Sequence, residues 1–514
     1  MSDQIQDRRD KLARIRALGV DPYGARFVGV ASIADIRAAG DAAQIDVGQI
    51  LDDEQFRFRV AGRVHLHRDI GSLIFLTIRD RSGELQIGLS KKQVVGLACA
   101  ALGERAPEHA DLSEAQIAWK IAKLLDLGDV VGAEGRLGRT KTGELTLWAT
   151  RVSILSKCLR PPPEKRLGLT DVEQRYRKRY LDLLSNPRSQ QVFLKRAQII
   201  EHAREVLRAR GFVEVSVPVL QPLYGGAAAR PFTTHHNTLD MRLYLQISPE
   251  LYLKRCLVGG LERVFEFARC FRNEGISPRH NPEFTMLELY QAYGDYHDMM
   301  DITEEIVAGA AEKVVGSTKV RYGEREMDFK TPWPRRKYAD LFHEHVGLPI
   351  DDIGAIRRRA RELHAAGELS KNEAQLDDPV VVNELFEHYC EPKLIDPVFV
   401  LDYPAPLCPL TRRDPNNPDV ALRFECFVNG MEMGNAYTEL NDPDLQRETF
   451  SAQLRGEEDE TMAVMDEDFI EALEYGMPPA GGLGIGIDRL CMLLTDSQSI
   501  RDVILFPLQR PLAD

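Results

Sequence analysis

The sequence predicts an α+β protein of more than one domain, and three observations carry the prediction. At 514 residues the chain is too long for a single hydrophobic core. Residues 56–155 read as short alternating strands around one helical stretch. Beyond residue 180, long helical periods and alternating strands are interleaved.

The first region is the most regular. Phe56-Arg-Phe-Arg-Val-Ala-Gly-Arg-Val alternates as a strand does, and Leu73-Ile-Phe-Leu-Thr-Ile-Arg-Asp follows. Arg81-Ser-Gly turns the chain into Leu85-Gln-Ile-Gly-Leu. A helical stretch over 114–126 precedes Val130-Val-Gly-Ala-Glu-Gly-Arg-Leu, and Lys141-Thr-Gly turns into Leu145-Thr-Leu-Trp-Ala-Thr. Five strands with a helix between the third and fourth predict a small barrel of the OB type over 56–156, a fold that commonly binds single-stranded nucleic acid. Residues 1–55 are expected to form a helical extension. Within it, 3–18 is one amphipathic helix ending at Gly19, with Ile5, Leu12, Ile15 and Leu18 on its apolar side. The five Lys/Arg between Arg8 and Arg16 are read as a solvated face.

Arg160-Pro-Pro-Pro-Glu-Lys is a stiff boundary inside a basic hinge over 157–180, and Lys157 to Arg179 holds eight Lys/Arg against three Asp/Glu. The remainder, 181–514, reads as one larger domain. It opens with a long helix over 188–210 that ends at Gly211, and Phe212-Val-Glu-Val-Ser-Val-Pro follows as a short strand with Pro218 at an edge or bend. Residues 240–291 read as strand-rich. Residues 295–395 read as mainly helical with one hairpin near 318–330. Strands return at 397–403 and 420–440, and Gly481-Gly-Leu-Gly-Ile-Gly-Ile-Asp-Arg-Leu reads as strand, then helix.

Composition narrows the function. No run of 18 apolar residues spans a membrane, and the charged first residues match neither a secretory signal nor a transit peptide, so a cytoplasmic location is expected. The eight cysteines form no CxxC pair and sit near no histidine cluster, which argues against a zinc site or a disulfide framework. A net charge of −13 argues against indiscriminate nucleic-acid binding and leaves room for a local basic patch. The acidic stretch Glu457–Glu471 is read as a solvated helix face.

Two hairpins carry the chemistry. In the first, Arg263-Val-Phe-Glu-Phe-Ala-Arg-Cys-Phe enters a polar loop from Arg272 to Glu283, and Glu283-Phe-Thr-Met-Leu-Glu-Leu-Tyr returns. A period of two puts Phe284, Met286, Glu288 and Tyr290 on one face and Leu287 and Leu289 on the other. An aromatic, a carboxylate and a phenol beside an arginine-bearing loop make poor core material. In the second, Asn429-Gly430 marks a two-residue turn. That turn pairs Phe427 with Glu432 and Glu425 with Gly434, leaving Glu425 and Glu432 diagonal on one face. Two carboxylates so close repel unless a cation lies between them, and Mg²⁺ takes such oxygens. Asn435, Tyr437 and Glu439 alternate with the opposite parity to Glu432. For both sets to face one cavity, the strand must bulge near Gly434.

Ser248-Pro-Glu reads as a helix start with Ser248 as N-cap and Pro249 first, where Glu250 suits the helix dipole. The 481–486 glycines do not form GxGxxG, and the chain has no GxxxxGK[ST] loop. An ATP-using enzyme of this sequence must therefore hold phosphates with arginines and metal, and Arg489 is the obvious extra cation.

Taken together, these segments resemble the class II aminoacyl-tRNA synthetases and, within them, the lysine enzymes. Helix 188–210 with Val217-Pro218 is similar to the family's motif 1, Phe271-Arg-Asn-Glu-Gly through Glu283-Phe284 to motif 2, and Gly482-Leu-Gly-Ile-Gly-Ile-Asp-Arg489 to motif 3. The narrower match lies in Gly225-Gly-Ala-Ala-Ala-Arg-Pro-Phe, Thr234-His-His-Asn, Ser248-Pro-Glu-Leu-Tyr-Leu-Lys-Arg, Arg279-His-Asn-Pro-Glu-Phe-Thr-Met and Asn435-Ala-Tyr-Thr-Glu-Leu-Asn-Asp. The resemblance covers about residue 56 to the end and departs at Cys408, where many relatives carry serine.

The resemblance implies a catalytic domain with an antiparallel sheet flanked by helices, a homodimer, and an activity with lysine, ATP, Mg²⁺ and tRNA(Lys). Its rivals are an aspartate- or asparagine-specific relative and a non-catalytic tRNA-binding paralogue. By similarity, Arg272 binds the α-phosphate and the lysine carboxylate, Phe284 stacks on adenine, and Arg279 and Arg489 cover the γ-phosphate side. Glu274, His280 and Asn281 contact ATP, and Glu425 and Glu432 hold Mg²⁺. Gly226, by its carbonyl, and Glu250 take the α-ammonium. Glu288, Tyr290 and Glu439 surround the side-chain ammonium, and Asn435 and Tyr437 line that pocket. In the barrel, Phe75 stacks on an anticodon base with Arg68, Gln86 and Glu144 nearby. Two ammonium groups on one substrate call for carboxylates at two separated places, whereas an aspartate enzyme needs a cation instead.

Overall fold

The computed structural model describes residues 3–24, 26–99, 102–163, 169–453 and 465–511, which form two compact units.

The first unit is built on a closed barrel. Strands Arg57–Asp69, Leu73–Arg79, Glu84–Ser90, Val130–Arg139 and Leu145–Ser156 close in the order first, second, third, fifth, fourth. Alternation sets which side chains turn inward, so Ile74, Leu76, Ile78, Leu85, Ile87 and Leu147 are all fully buried. Helix Glu114–Leu124 carries a reciprocal Ser113/Gln116 capping box and lies between the third and fourth strands in sequence, as predicted. Helix Asp3–Ala17 and a second helix, Ile33–Ala42, which hydrophobic periodicity did not reveal, place Ile15, Leu18, Ile33 and Ile36 in the same core as the barrel. Residues before 56 therefore share the barrel's core rather than forming a body of their own. Arg8 departs from the expected solvated face: it is buried and donates to the carbonyls of Leu127 and Cys158 at 3.0 and 2.8 Å.

Two residues of the basic stretch are likewise not free surface. Lys157 is buried against Asp126 and Asp129 at 2.6 and 2.8 Å, and Arg179 is buried on the carbonyls of Arg501 and Leu505. Its members 164–168, and 457–464 of the acidic stretch, lie outside the described residues.

The second unit is organised by one nine-stranded sheet. From one edge to the other run Arg335–Lys337, Val398–Pro404, Asn417–Val428, Met431–Thr438, Ala480–Gly486, Glu283–Ala292, Arg263–Phe271 and Val213–Glu214, and the ninth strand, Arg413–Asp414, pairs with Asn417–Val428; the two outermost pairings of the row are parallel and the rest antiparallel. One face is covered by helices Pro187–Ala209, Tyr296–Val315 and Ile487–Leu494. There Leu287, Leu289, Ile485, Ile306 and Leu490 are each no more than 2% exposed, and each such side chain contributes roughly 1.5–3 kcal/mol of burial. Leu287 and Leu289 take this face, so Met286, Glu288 and Tyr290 turn to the other.

Two sequence expectations need correction. The helix expected from Ser248-Pro-Glu inside the strand-rich 240–291 is Glu250–Val258; it begins one residue later than expected, with Pro249 at the cap. Glu425 pairs with Asn435, not Gly434, because the ladder skips from Phe427↔Glu432 to Cys426↔Gly434. Met433 is the extra residue. This is the bulge required for Glu432, Asn435 and Tyr437 to share a face, and it shifts the later register by one.

Candidate active site

The open face of the sheet carries a cavity with two lobes that share Arg272, Met286 and Asn435.

The first lobe gathers Arg272, Glu274, Arg279, His280, Asn281, Phe284, Glu432 and Arg489. The hairpin positions most of them, because its loop is tied back by Arg272 N–H donating to the Pro282 carbonyl at 2.9 Å. The Arg272 guanidinium carbon lies 5.1 Å from the Phe284 ring centre, close enough for a cation–π contact, and its Nε is buried with no hydrogen-bond partner among the described residues. Arg489 Nη1 donates to the Glu432 carbonyl at 2.7 Å, and Nη2 donates to His280 Nε2 at 3.2 Å. Since arginine only donates, that bond makes Nε2 an acceptor and leaves the imidazole proton on Nδ1, 2.9 Å from Ser277 Oγ. Burial, reinforced by Arg489, Arg272 and Arg279, holds His280 below its ordinary range, so the ring stays neutral among three cations. Asn281 is buried; its Nδ2 donates to the Glu283 carbonyl at 2.6 Å and its Oδ1 has no hydrogen-bond partner among the described residues.

Glu432 lines the first lobe; Glu425, on the adjacent strand and paired with Asn435, lines neither lobe. Tyr403 donates to Glu425 at 2.8 Å and Arg423 pairs with its other oxygen. Asn435 donates to Glu432 at 2.9 Å. Burial and the charge of Glu432 push Glu425 up. Burial acts the same way on Glu432, but Arg489, Asn435 and Arg423 outweigh it and bring that carboxyl down. Each carboxylate retains acceptor capacity beyond these bonds, and carboxylate oxygens are the donor chemistry a hard cation takes.

The second lobe holds Gly226, Ser248, Glu250, Glu288, Tyr290 and Tyr437 beside Arg272 and Asn435. Ser248 joins its two acids: the hydroxyl accepts from Glu250 N–H at 3.1 Å and donates to Glu288 at 3.1 Å. Tyr290 donates to the second Glu288 oxygen at 3.4 Å. Burial, helped by Glu250 and opposed by Ser248, Arg272 and Tyr290, pushes Glu288 up to about 8. Gly226 has φ +83°, and a Cβ there would lie 3.0 Å from Glu250 Cβ, so only glycine lets this backbone approach. Glu439 is 1% exposed and sits behind the lobe. Its Oε1 would be 2.0 Å from a Cβ on Gly482, a position that also touches the Tyr290 ring.

Several contributors carry no periodic signal. Lys254 is fully buried between Glu250 and Glu439, and only its spacing of four from Glu250 on a helix hints at the pair. Arg423 is stacked between Tyr403 and Tyr437, 4.9 and 5.3 Å from their ring centres, and donates to Cys408 Sγ at 3.3 Å. The unusual cysteine thus lies in this shell as a buried acceptor, its thiol pushed up by burial.

In the barrel unit, Phe75 is half-buried, with Trp148 edge-on at 5.9 Å. Arg68 is paired across from Phe75, and Gln86 donates to Thr146 Oγ1 at 2.8 Å. Exposed Glu144 closes the turn through its backbone, its N–H on Thr140 Oγ1 at 3.1 Å. Trp148 was not singled out as a site residue from its strand.

Known proteins place this arrangement. Residues 171–510 match the family described as tRNA synthetases class II (D, K and N), and residues 58–155 match the OB-fold nucleic acid binding domain. Full-length similarity is narrower. The chain is 46% identical to a lysine–tRNA ligase of Carboxydothermus hydrogenoformans, covering 99% of both chains. It is 46% identical to one of Pelotomaculum thermopropionicum (99% and 96% covered) and 44% identical to one of Bacillus subtilis (99% and 98% covered). The chain therefore belongs to the class II tRNA synthetases and, within them, to the lysine–tRNA ligase family.

Proposed function

We propose that the protein activates L-lysine with ATP to lysyl-adenylate and transfers the lysyl group to the 3′ end of tRNA(Lys). The observation that carries this is the position of Arg272, shared by a lobe bearing an aromatic platform and arginines and a lobe bearing buried carboxylates.

The first lobe suits ATP: Phe284 offers a face for adenine, Arg279, Arg489 and Glu274 stand at the polyphosphate end, and His280 and Asn281 support them. The second suits lysine: Gly226 and Glu250 receive the α-ammonium, and Glu288, Tyr290 and Glu439 surround the side-chain ammonium, with Asn435 and Tyr437 as walls. A lysine carboxylate oxygen attacks the α-phosphorus in line, the bond to the β-phosphate bridging oxygen breaks, and pyrophosphate leaves. Arg272 orients both reactants and meets the charge developing on the α-phosphoryl oxygens. Glu425 and Glu432 would hold Mg²⁺, which would supply neutralisation of phosphate charge when bound. The terminal ribose hydroxyl of tRNA then attacks the adenylate carbonyl and AMP leaves. Phe75, Arg68, Gln86 and Glu144 of the barrel read the anticodon by stacking and polar contacts.

Exposed apolar residues Leu194, Val213, Val219, Leu220 and Leu239, on and around the motif 1 segment, support a homodimer. No helix of the described residues is long and apolar enough to cross a membrane, in keeping with a cytoplasmic enzyme. The test is ATP–pyrophosphate exchange with lysine, aspartate and asparagine in turn. Lysine-dependent exchange is expected, and exchange driven by aspartate or asparagine instead overturns the assignment.

A further inference from the structure

Behind the amino-acid lobe lies a cation of the protein's own. Lys254 is 0% exposed, with Nζ 2.7 Å from Glu250 Oε1 and 2.5 Å from Glu439 Oε2. Glu250 projects from the same helix and Glu439 follows the strand Met431–Thr438. Glu288 and Tyr290 face the group from strand Glu283–Ala292, Tyr437 and Arg272 close it, and Ser248 links Glu250 to Glu288. Glu439 Oε1 accepts no hydrogen bond from the described residues, although it is fully enclosed.

A buried ammonium is a poor device for stability alone, because a well-packed apolar side chain of similar length generally does better. Its place between two of three buried acids points elsewhere. With lysine bound and all three acids ionised, three carboxylates and one ammonium leave two negative charges. That matches an amino acid with two ammonium groups whose carboxylate is met separately by Arg272.

We propose that Lys254 is a positioning residue that sets the charge of the lysine pocket, cancelling one of its three carboxylates and clamping Glu250 and Glu439 where they receive substrate; this rests on the lysine assignment of the lobe. The two carboxylates hold Lys254 protonated despite its burial, so the counter-charge persists in the empty enzyme. Without it, a further carboxylate beyond Glu288 has no cation until substrate arrives and takes up a proton instead. Lysine binding then has to release that proton.

The test is lysine-dependent exchange by the full-length enzyme, with KM for lysine and kcat measured from about pH 6.5 to 8. Wild type is read first: exchange that ignores lysine overturns the substrate assignment itself, separately from any role of Lys254. In Lys254→Met, KM for lysine is expected to rise roughly 30-fold near pH 7, and to fall by up to about tenfold per pH unit as the carboxylate deprotonates. KM for ATP and kcat move by less than about threefold. In Lys254→Met/Glu439→Gln the two charges are removed together, and the added pH dependence disappears. A lysine KM within twofold of wild type in the single variant, or the same pH profile in single and double variants, overturns the proposal. If the single variant does not fold, Glu439→Gln is compared with the double. The double is expected to bind lysine about tenfold more tightly because its charge is restored, and equal KM values overturn the proposal.

Discussion

Arg196 and Asp488 stand 292 positions apart and form one ion pair, Nη1 to Oδ1 at 2.6 Å. The other Asp488 oxygen accepts from Thr285 N–H at 2.6 Å, and Arg196 Nη2 donates to Thr285 Oγ1 at 3.0 Å. The long helix Pro187–Ala209 therefore pins the strand residue beside Phe284 and the helix residue beside Arg489. Arg196→Met leaves a buried carboxylate without its cation. It is expected to destabilise this unit by about 3 kcal/mol and to raise KM for ATP, checked by denaturant unfolding and exchange kinetics. Unchanged stability would show that the pair is not what joins the elements.

Arg272 has no equal replacement in either lobe. Arg272→Ala is expected to cut lysine-dependent exchange by at least ~100-fold, on the scale of losing one transition-state donor. Near-normal exchange removes Arg272 from the chemistry.

The parity of the motif 2 strand was legible because Leu287 and Leu289 are apolar and their alternates are not. A period of two then forces Glu288 and Tyr290 toward the cavity. The need for a bulge near Gly434 was legible for the same reason, since Glu432 and Asn435 cannot share a face on a regular strand. Which residue bulges was not: turn chemistry at Asn429-Gly430 registers only the first pairs, and Met433 became the extra residue where packing against the sheet's covered face rewards it. Lys254 and Arg196 were invisible for another reason. On a helix each looks like a solvent cation, and only the tertiary approach of Glu439 or Asp488 turns it into a buried one.

Glu288 gives the empty pocket a pH signature. Its carboxyl is pushed up to about 8 from an ordinary 4.5. Between those values the folded chain keeps a proton that the unfolded chain has lost. This contribution is complete below 4.5 and is lost as pH rises through about 8. Stability of the lysine-free protein is therefore expected to fall more steeply from about pH 5.5 to 8 in wild type than in Glu288→Gln. Saturating lysine supplies an ammonium to the carboxylate and should flatten the wild-type slope. Parallel slopes in the two proteins would contradict this.

Glu432 is held down by Arg489 and Asn435 and lines the first lobe, so it is the better prepared of the two carboxylates to meet a cation. Glu432→Gln keeps the shape and removes the charge. The Mg²⁺ concentration for half-maximal exchange is expected to rise about tenfold, with KM for lysine little changed. A magnesium requirement identical to wild type would argue that Glu432 serves only to anchor Arg489.

The barrel provides a test that separates tRNA reading from amino-acid activation. Phe75 presents a half-buried ring set T-shaped to Trp148, their centres 5.9 Å apart, a supported surface on which a base can stack. Stacking of one base on one aromatic side chain is worth about 1–3 kcal/mol, or roughly 5- to 150-fold in affinity. Phe75→Ala should therefore raise KM for tRNA in aminoacylation by at least about fivefold. Pyrophosphate exchange needs no tRNA and should keep its rate. Loss of exchange in this variant would mean that the substitution disturbs the fold rather than the anticodon contact. An unaltered KM for tRNA would move anticodon stacking to another half-buried ring of the same face, with Trp148 the first to examine, because a Cβ on Gly88 would lie 2.8 Å from it and only glycine leaves that indole its place on the strand.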